Sequence, residues 1–426
     1  MDEHGSYRRR VIDDELDELL ESLPAISIEG AKGVGKTWTA SQRTETAFSL
    51  DDPGQLAITR GDPRRVVSAP GPTLIDEWQR LPEVWDLVRR AVDNGAKPGK
   101  FLMAGSSSPA GLGTHSGAGR IVSLRMRPLA LSEREGFQPT VSLKKLLDGS
   151  RPPVEGQTNV ALVDYTREIL RSGFPGFVVQ KGRALNAQLE GYLSRIVDRD
   201  FPELGQETRN PIALRRWMTS YAAATSGTAS FETIRKSVAG KSNVVPARST
   251  TTPYRDVLQR LWILDPLPGW LPTKNRISRI AESEKHHLVD PALAAHLLGV
   301  DEDALLSGID IGPTIPRDGT LLGALFESLV TQSVRVYAQD AQARTHHFRT
   351  REGREVDLIV ERRNGRVVAL EVKLARNVES SDLRHLHWLK DQLGDDLLDA
   401  AVITTGPEAY RRQDGIAVIP AALLGP

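Results

Sequence analysis

Eight residues, Gly30-Ala31-Lys32-Gly33-Val34-Gly35-Lys36-Thr37, constrain this chain more than any other stretch. They follow a short apolar segment, Ala25 to Glu29, that predicts a strand, and they open a segment that predicts a helix. Glycines at these positions let the backbone wrap closely, so that its N–H groups converge on phosphate oxygens. The helix that follows presents its positive end to the same charge. In this arrangement Lys36 pairs with the β and γ phosphates of ATP, and the Thr37 hydroxyl completes a Mg2+ shell. A chance glycine-rich turn explains the glycines but not the full eight-position match with its flanks.

A second stretch extends the site. Thr73-Leu74-Ile75-Asp76-Glu77 is an apolar strand ending in two acids, 40 residues after Lys36. Asp76 can support the metal through water, while Glu77, aimed differently, can polarise the attacking water. This second acid favours hydrolysis over passive nucleotide binding. Ser106, with Ser107 beside it, follows another predicted strand, Phe101 to Ala104, and is the candidate to sense the γ-phosphate. Arg120 follows the same Gly/Ser-rich run, Gly105 to Gly119. It is either a phosphate contact, in its own or a neighbouring subunit, or a surface cation.

Composition bounds the rest. A length of 426 residues suggests about three domains at roughly 150 residues each. Lys plus Arg and Asp plus Glu each number 55, so the formal charge is zero and the chain as a whole is no basic coat for nucleic acid. Cysteine is absent, which removes disulfides, thiolate metal sites and cysteine nucleophiles. No run of 18 apolar residues spans a bilayer, and the first residues lack a signal's apolar centre, so a cytoplasmic protein without membrane contact is expected.

Alternating strand and helix patterns in the first part predict a parallel α/β sheet, with Val84 to Val92 as one crossover helix. Residues 141–159 read as an insertion or connection. Residues 209–270 are mainly helical and end in an extended hairpin, the pattern of a small winged-helix module. From about residue 315 a long helix, Leu321 to Tyr337, precedes strands at His346 to Thr350, Val356 to Glu361 and Val367 to Lys373.

Taken in order, GAKGVGKT, LIDEWQ, FLMAGSSS, GRIVSLRMRPLALSE, SGFPG, YLSRIVDRD, HHLVDPALAAHLLG, LLGALFESLV and REVDLIVERRNGRVVALEVK resemble prokaryotic AAA+-type P-loop ATPases fused to a C-terminal DUF4143 domain. The resemblance spans most of the chain and implies three parts. Residues 1–205 form an AAA+-like P-loop NTPase domain that includes a helical subdomain at about 140–205. Residues 206–314 form a winged-helix and connecting region, and 315–426 a restriction-endonuclease-like, PD-(D/E)xK α/β domain.

That last part has its own candidate chemistry. Positions two apart on a strand face one side, so Glu371 and Lys373 share a pocket that Asp357 on the neighbouring strand can reach. Such carboxylates hold a Mg2+ or Mn2+ ion that activates water for phosphodiester hydrolysis, and the lysine steadies the developing charge. Glu327 completes the cluster, as the resemblance implies for the helix acid. Around them lie Arg344, Arg349, Arg351, Arg354, Arg362, Arg363 and Arg366, a surface for double-stranded DNA or a solvated hairpin face. His286, His287, His385 and His387 have no metal-ligand spacing and read as ordinary packing or surface residues. Three functions follow from the sequence: an ATPase coupled to a DNA- or protein-directed module, an ATP-gated nuclease, or a nucleotide-regulated interaction protein. Arg120, Arg125, Arg127 and Arg199 do not single out an arginine finger, and the oligomeric state stays open.

Overall fold

The computed structural model describes residues 7–107, 118–204, 210–239, 245–270, 283–308, 319–350 and 352–426. Most of the Gly/Ser-rich run after Ser107, the far end of the expected hairpin and Arg351 lie outside them. The chain divides into two compact units. The first comprises Met1–Pro128, Phe174–Gly176 and Leu258–Ile263, and the second comprises Leu129–Gly173, Phe177–Val257 and Leu264–Pro426.

The first unit is built on five strands: β1 (Ala25–Glu29), β2 (Thr46–Ser49), β3 (Thr73–Asp76), β4 (Phe101–Gly105) and β5 (Val122–Arg125). They pair in the order β2-β3-β4-β1-β5, all parallel. β1, β3 and β4 are buried along their whole length, so they need near-continuous apolar residues, which is the pattern their sequences carry. The crossover helix Glu83–Asp93 lays Val84, Trp85 and Val88 against this sheet. Trp78 and Trp85 meet with ring centroids 4.6 Å apart, within a core that includes Ile75, Phe101 and Met103. Sequence periodicity located β1, β3, β4 and this helix to within a residue or two. It gave no sign of β2, a half-exposed edge strand of four residues.

In the second unit the helix Leu321–Asp340 is buried on nearly all sides, its polar Ser328, Thr331, Gln332 and Ser333 included. Beside it runs a mixed sheet. Its main strands are β6 (Arg344–Arg349), β7 (Glu355–Glu361), β8 (Val367–Val372), β9 (Leu397–Thr404), β10 (Glu408–Arg411) and β11 (Ala417–Pro420). β6, β7 and β8 pair antiparallel; β8, β9 and β11 pair parallel. The helix Arg384–Leu393 closes one face with Leu386 and Leu389 on Phe348, Val356 and Val402.

The structure groups residues 140–205 differently from the expectation that they extend the ATPase domain. All but Phe174–Gly176 belong to the second unit, for identifiable reasons. Val141 and Ser142 pair in parallel with Leu424 and Gly425. The Tyr165 ring meets Phe326 edge-on at 5.3 Å, and its hydroxyl accepts the Ala422 N–H at 2.9 Å. An amphipathic helix pattern records that one face is buried; it does not record which core buries it.

One ion pair anchors the far side of this sheet. Arg411 reaches both oxygens of the buried Asp399, at 2.8 and 2.9 Å, and also donates to the Pro152 and Gly415 carbonyls. Removing one partner of a buried pair strands the other without compensation. Asp399→Ala is therefore expected to destabilise the second unit by about 3 kcal/mol, read as a lower urea midpoint, with Arg411→Ala close to it.

Candidate active site

At the end of β1 the chain turns through Gly30 and Gly33 to Gly35, whose φ of 104° only glycine adopts comfortably. The helix Lys36–Ser41 begins there. Gly30 has a second reason to be glycine, since a Cβ there would lie 2.2 Å from the Met126 carbonyl oxygen. Behind the loop, the buried Arg10 donates to the carbonyls of Val34 and Arg127, both at 2.9 Å. Nothing in the sequence marks Arg10 as a brace, because its partners are backbone atoms distant along the chain.

Lys36 is 5% exposed, and its Nζ donates to the carbonyls of Gly30 and Ala31 at 2.8 and 2.9 Å. Burial lowers its pKa to about 8, an effect that Glu77 and Asp76 oppose. The Thr37 hydroxyl donates to the Asp76 carboxylate, 3.0 Å from either oxygen. Asp76 is pushed up to about 6 by burial and then by the charge of Glu77, while the Thr37 bond works the other way. Two adjacent acids and a hydroxyl, with the acid partly desolvated, are hard oxygen donors that suit Mg2+.

Glu77 leaves β3 in the left-handed region, at φ 51° and ψ 42°, a rare conformation for a residue with a side chain. Ser106 Oγ donates to Glu77 Oε2 at 2.7 Å, and Gln79 Nε2 donates to that same oxygen and to Ser106 Oγ. The sequence proposed Ser106 as a partner of γ-phosphate and water; here its hydroxyl lies against the Glu77 carboxylate. Gln79, third in this triangle, went unnoticed in the sequence, where it sits in an ordinary LIDEWQ run. Gly105 makes room for Trp78, whose Nε1 would lie 2.6 Å from a Cβ at that position.

Arg120 is not part of this site. β5 runs parallel to β1 with Val122 beside Ile26, so the residues before β5 lie at the amino-terminal edge of the sheet, opposite the loop. There Arg120 pairs with Asp93 at 2.9 Å, both side chains exposed by more than a third. Arg125, at the other end of β5 and beside Glu29, lies on the loop's side of the sheet. Its guanidinium lies 3.7 Å from the Trp262 ring centroid, and its charge adds to the lowering of the Lys36 pKa.

In the second unit the expected acids do gather. Asp357 Oδ2 accepts the Val372 N–H at 2.8 Å, and Lys373 Nζ pairs with Glu371 at 2.9 Å. Burial, and then the charge of Asp357, push Glu371 up to about 8. Between Glu327 and Asp357, however, stands Lys285, which the sequence reading passed over. Among the described residues, no group of three or more His, Cys, Asp or Glu side chains is arranged to hold a metal ion. The expected second Mg2+ or Mn2+ is corrected accordingly, because an ammonium lies among the carboxylates that would bind it. The hairpin arginines are largely engaged at home. Arg349 pairs with Glu355, Arg354 covers the Trp388 ring, and Arg362 and Arg366 donate to the Leu147 and Asp395 carbonyls. His286 packs against Tyr221 and Phe231.

Comparison with known proteins finds three matching segments. Residues 22–135 match the AAA domain family, residues 162–304 a domain of unknown function (DUF8612), and residues 322–424 a domain of unknown function (DUF4143). Uncharacterized proteins of Mycobacterium tuberculosis and Mycobacterium bovis are each 25% identical over 411 residues, covering 94% of this chain and 81% of theirs. A solved Walker-type ATPase of Pyrococcus abyssi is 16% identical, with a TM-score of 0.40, covering 69% of this chain and 97% of that one. The chain thus carries an AAA domain toward its N-terminus and a DUF4143 domain toward its C-terminus. Among the described residues, no helix is long and apolar enough to cross a membrane.

The close approach at Gly30 gives a direct test of the loop. Gly30→Ala must move the backbone away from Met126, and a displacement of about 1 Å at such a site costs on the order of 100-fold. Titration with a fluorescent ATP analogue is expected to show a loss of that order. Gly61→Ala, where a Cβ meets nothing within 4 Å, is expected to leave affinity unchanged.

Proposed function

We propose that this chain is a Mg2+-dependent ATPase whose nucleotide state governs its C-terminal module. One observation carries the reading: the Thr37–Asp76 and Glu77–Ser106 pairs stand side by side at the carboxyl ends of β3 and β4, next to the loop that follows β1. Ligands of open α/β sheets bind at that edge. When ATP binds, Lys36 exchanges the Gly30 and Ala31 carbonyls for phosphate oxygens. The loop from Gly30 to Thr37, Ala31, Lys32, Gly33 and Val34 included, contributes its N–H groups to the same anion. Magnesium, held through Thr37 and Asp76, supplies charge neutralisation at the phosphates. The Glu77 carboxylate takes up the proton of the attacking water as general base. Ser106 and Gln79 hold that carboxylate in a fixed orientation and carry the state of the γ-phosphate to it.

For the C-terminal module, Lys285 among the acids favours an interaction role over DNA cleavage. The helices Pro211–Ala223, Phe231–Ser237 and Arg248–Arg260, followed by the antiparallel bridges Leu264–Leu288 and Leu267–Lys285, support a winged-helix reading of the middle segment. Its partner classes are double-stranded DNA and protein, separated by whether intact DNA raises ATP turnover.

Glu77→Gln is expected to bind ATP normally and to lower kcat by about 100- to 1,000-fold, with Ser106→Ala losing about tenfold. Steady-state turnover with and without DNA measures both, and unchanged turnover in Glu77→Gln removes it as the base. Lys36→Ala is expected to abolish tight binding. The proton balance gives an independent check. With a pKa of about 8 in the free protein, Lys36 must gain a proton to meet phosphate as a cation. The uptake due to Lys36 should be small at pH 7 and grow as the pH rises through about 8. Calorimetry in buffers of different ionisation enthalpy reads this uptake, and an uptake that does not change between pH 7 and pH 8.5 removes Lys36 as its source.

A further inference from the structure

Lys285 is 1% exposed and lies in a nest of carboxylates: Glu327 Oε1 at 2.8 Å, Glu355 Oε1 at 2.7 Å and Asp357 Oδ1 at 3.0 Å. An ammonium has three N–H donors, and three carboxylates are there to receive them. Burial alone would drive the lysine toward its neutral form, but the charges of Glu327, Asp357 and Glu355 outweigh it and hold the pKa well above the usual lysine value. The side chain has little freedom to leave. Its own backbone makes both bonds of a narrow pair with Leu267, at 2.9 and 2.8 Å, and the next residue's N–H is held by the Gly227 carbonyl.

The surroundings are those of a cation site. Glu371 is 6% exposed, and while one oxygen pairs with Lys373, its Oε2 is buried with no hydrogen-bond partner among the described residues. Four carboxylates, Glu327, Glu355, Asp357 and Glu371, face three cations, Lys285, Lys373 and Arg349. A divalent ion bound to these oxygens would need metal–oxygen distances of about 2.0–2.6 Å. It cannot share that volume with a nitrogen hydrogen-bonded to the same oxygens.

We propose that the Lys285 ammonium is the resident cation of this cluster, a tethered substitute for a divalent metal ion, so that the C-terminal domain keeps its acids together and works without metal. Glu371 and Lys373 are then an ion pair within the fold rather than a base and its helper at a scissile phosphate. Lys285 also fastens the middle segment of the chain to the helix and strand that bear Glu327 and Asp357.

The test is Mn2+ titration of the full-length, nucleotide-free protein, followed by the EPR signal of free Mn2+, together with thermal melts. Wild type and Asp357→Asn are expected to bind Mn2+ alike. Lys285→Ala should gain an additional site at least ~10-fold tighter than any wild-type site, lost again in Lys285→Ala/Asp357→Asn. Its melting temperature should rise on adding Mn2+, while that of wild type does not. Should Lys285→Ala fail to fold with or without Mn2+, the charge-balanced Lys285→Met/Glu327→Gln is titrated in its place. A wild-type Mn2+ site that Asp357→Asn abolishes overturns the proposal. So does the absence of a new site in both Lys285 variants.

Discussion

Carboxylates brought together out of water repel one another and lose solvation, and each unit of this protein is organised around how that cost is met. In the first unit Asp76 and Glu77 sit at a strand end with Lys36 and Thr37 nearby, and Asp76 holds its proton up to about pH 6. The balance there is poised: hydrogen bonds from Thr37 and Ser106 quiet the acids without neutralising them. In the second unit the same kind of cluster is answered outright by a covalently attached cation, Lys285. A site left short of positive charge is one that a divalent cation can complete. A site already supplied with it is finished by folding.

Geometry around the loop follows from crowding rather than from charge. Gly30 lies under the Met126 carbonyl, Gly105 under the Trp78 indole, and Arg10 ties Val34 to Arg127. The contacts of Gly30 and Arg10 fix the loop against the segment that follows β5, and that of Gly105 seats the segment after β3 on β4. Glu77 is held in a left-handed turn by its neighbours, so its carboxylate points at Ser106 instead of continuing the alternation of β3.

How much of this was legible in the sequence depends on how local each cause is. The loop, the strand ending in Asp76 and Glu77, and the Glu371–Lys373 strand are written in consecutive residues, and the structure brings the members of each together. Ser106 stands out in the sequence because it follows a buried strand, although nothing there shows its contact with Glu77. The choice between Arg120 as phosphate contact and as surface cation stayed open because proximity to a loop in sequence says nothing about which end of a parallel sheet a residue joins. Lys285 was invisible for a deeper reason. It is 42 residues from Glu327 and 72 from Asp357, beside two histidines, with no periodicity linking it to them. Only tertiary structure turns an ordinary lysine into the counter-charge of three acids. Residues 140–205 likewise show their helices in the sequence but not their allegiance.

The position of Lys285 bears on where this protein can be cut. It lies within the stretch matching one family, 162–304, while the acids it serves lie in the stretch matching another, 322–424. A fragment trimmed to the second stretch would carry Glu327, Glu355 and Asp357 into its interior without the ammonium that all three contact. Boundaries drawn by shared ancestry and boundaries of autonomous folding therefore fall in different places along this chain, and the residues between them travel as one inheritance.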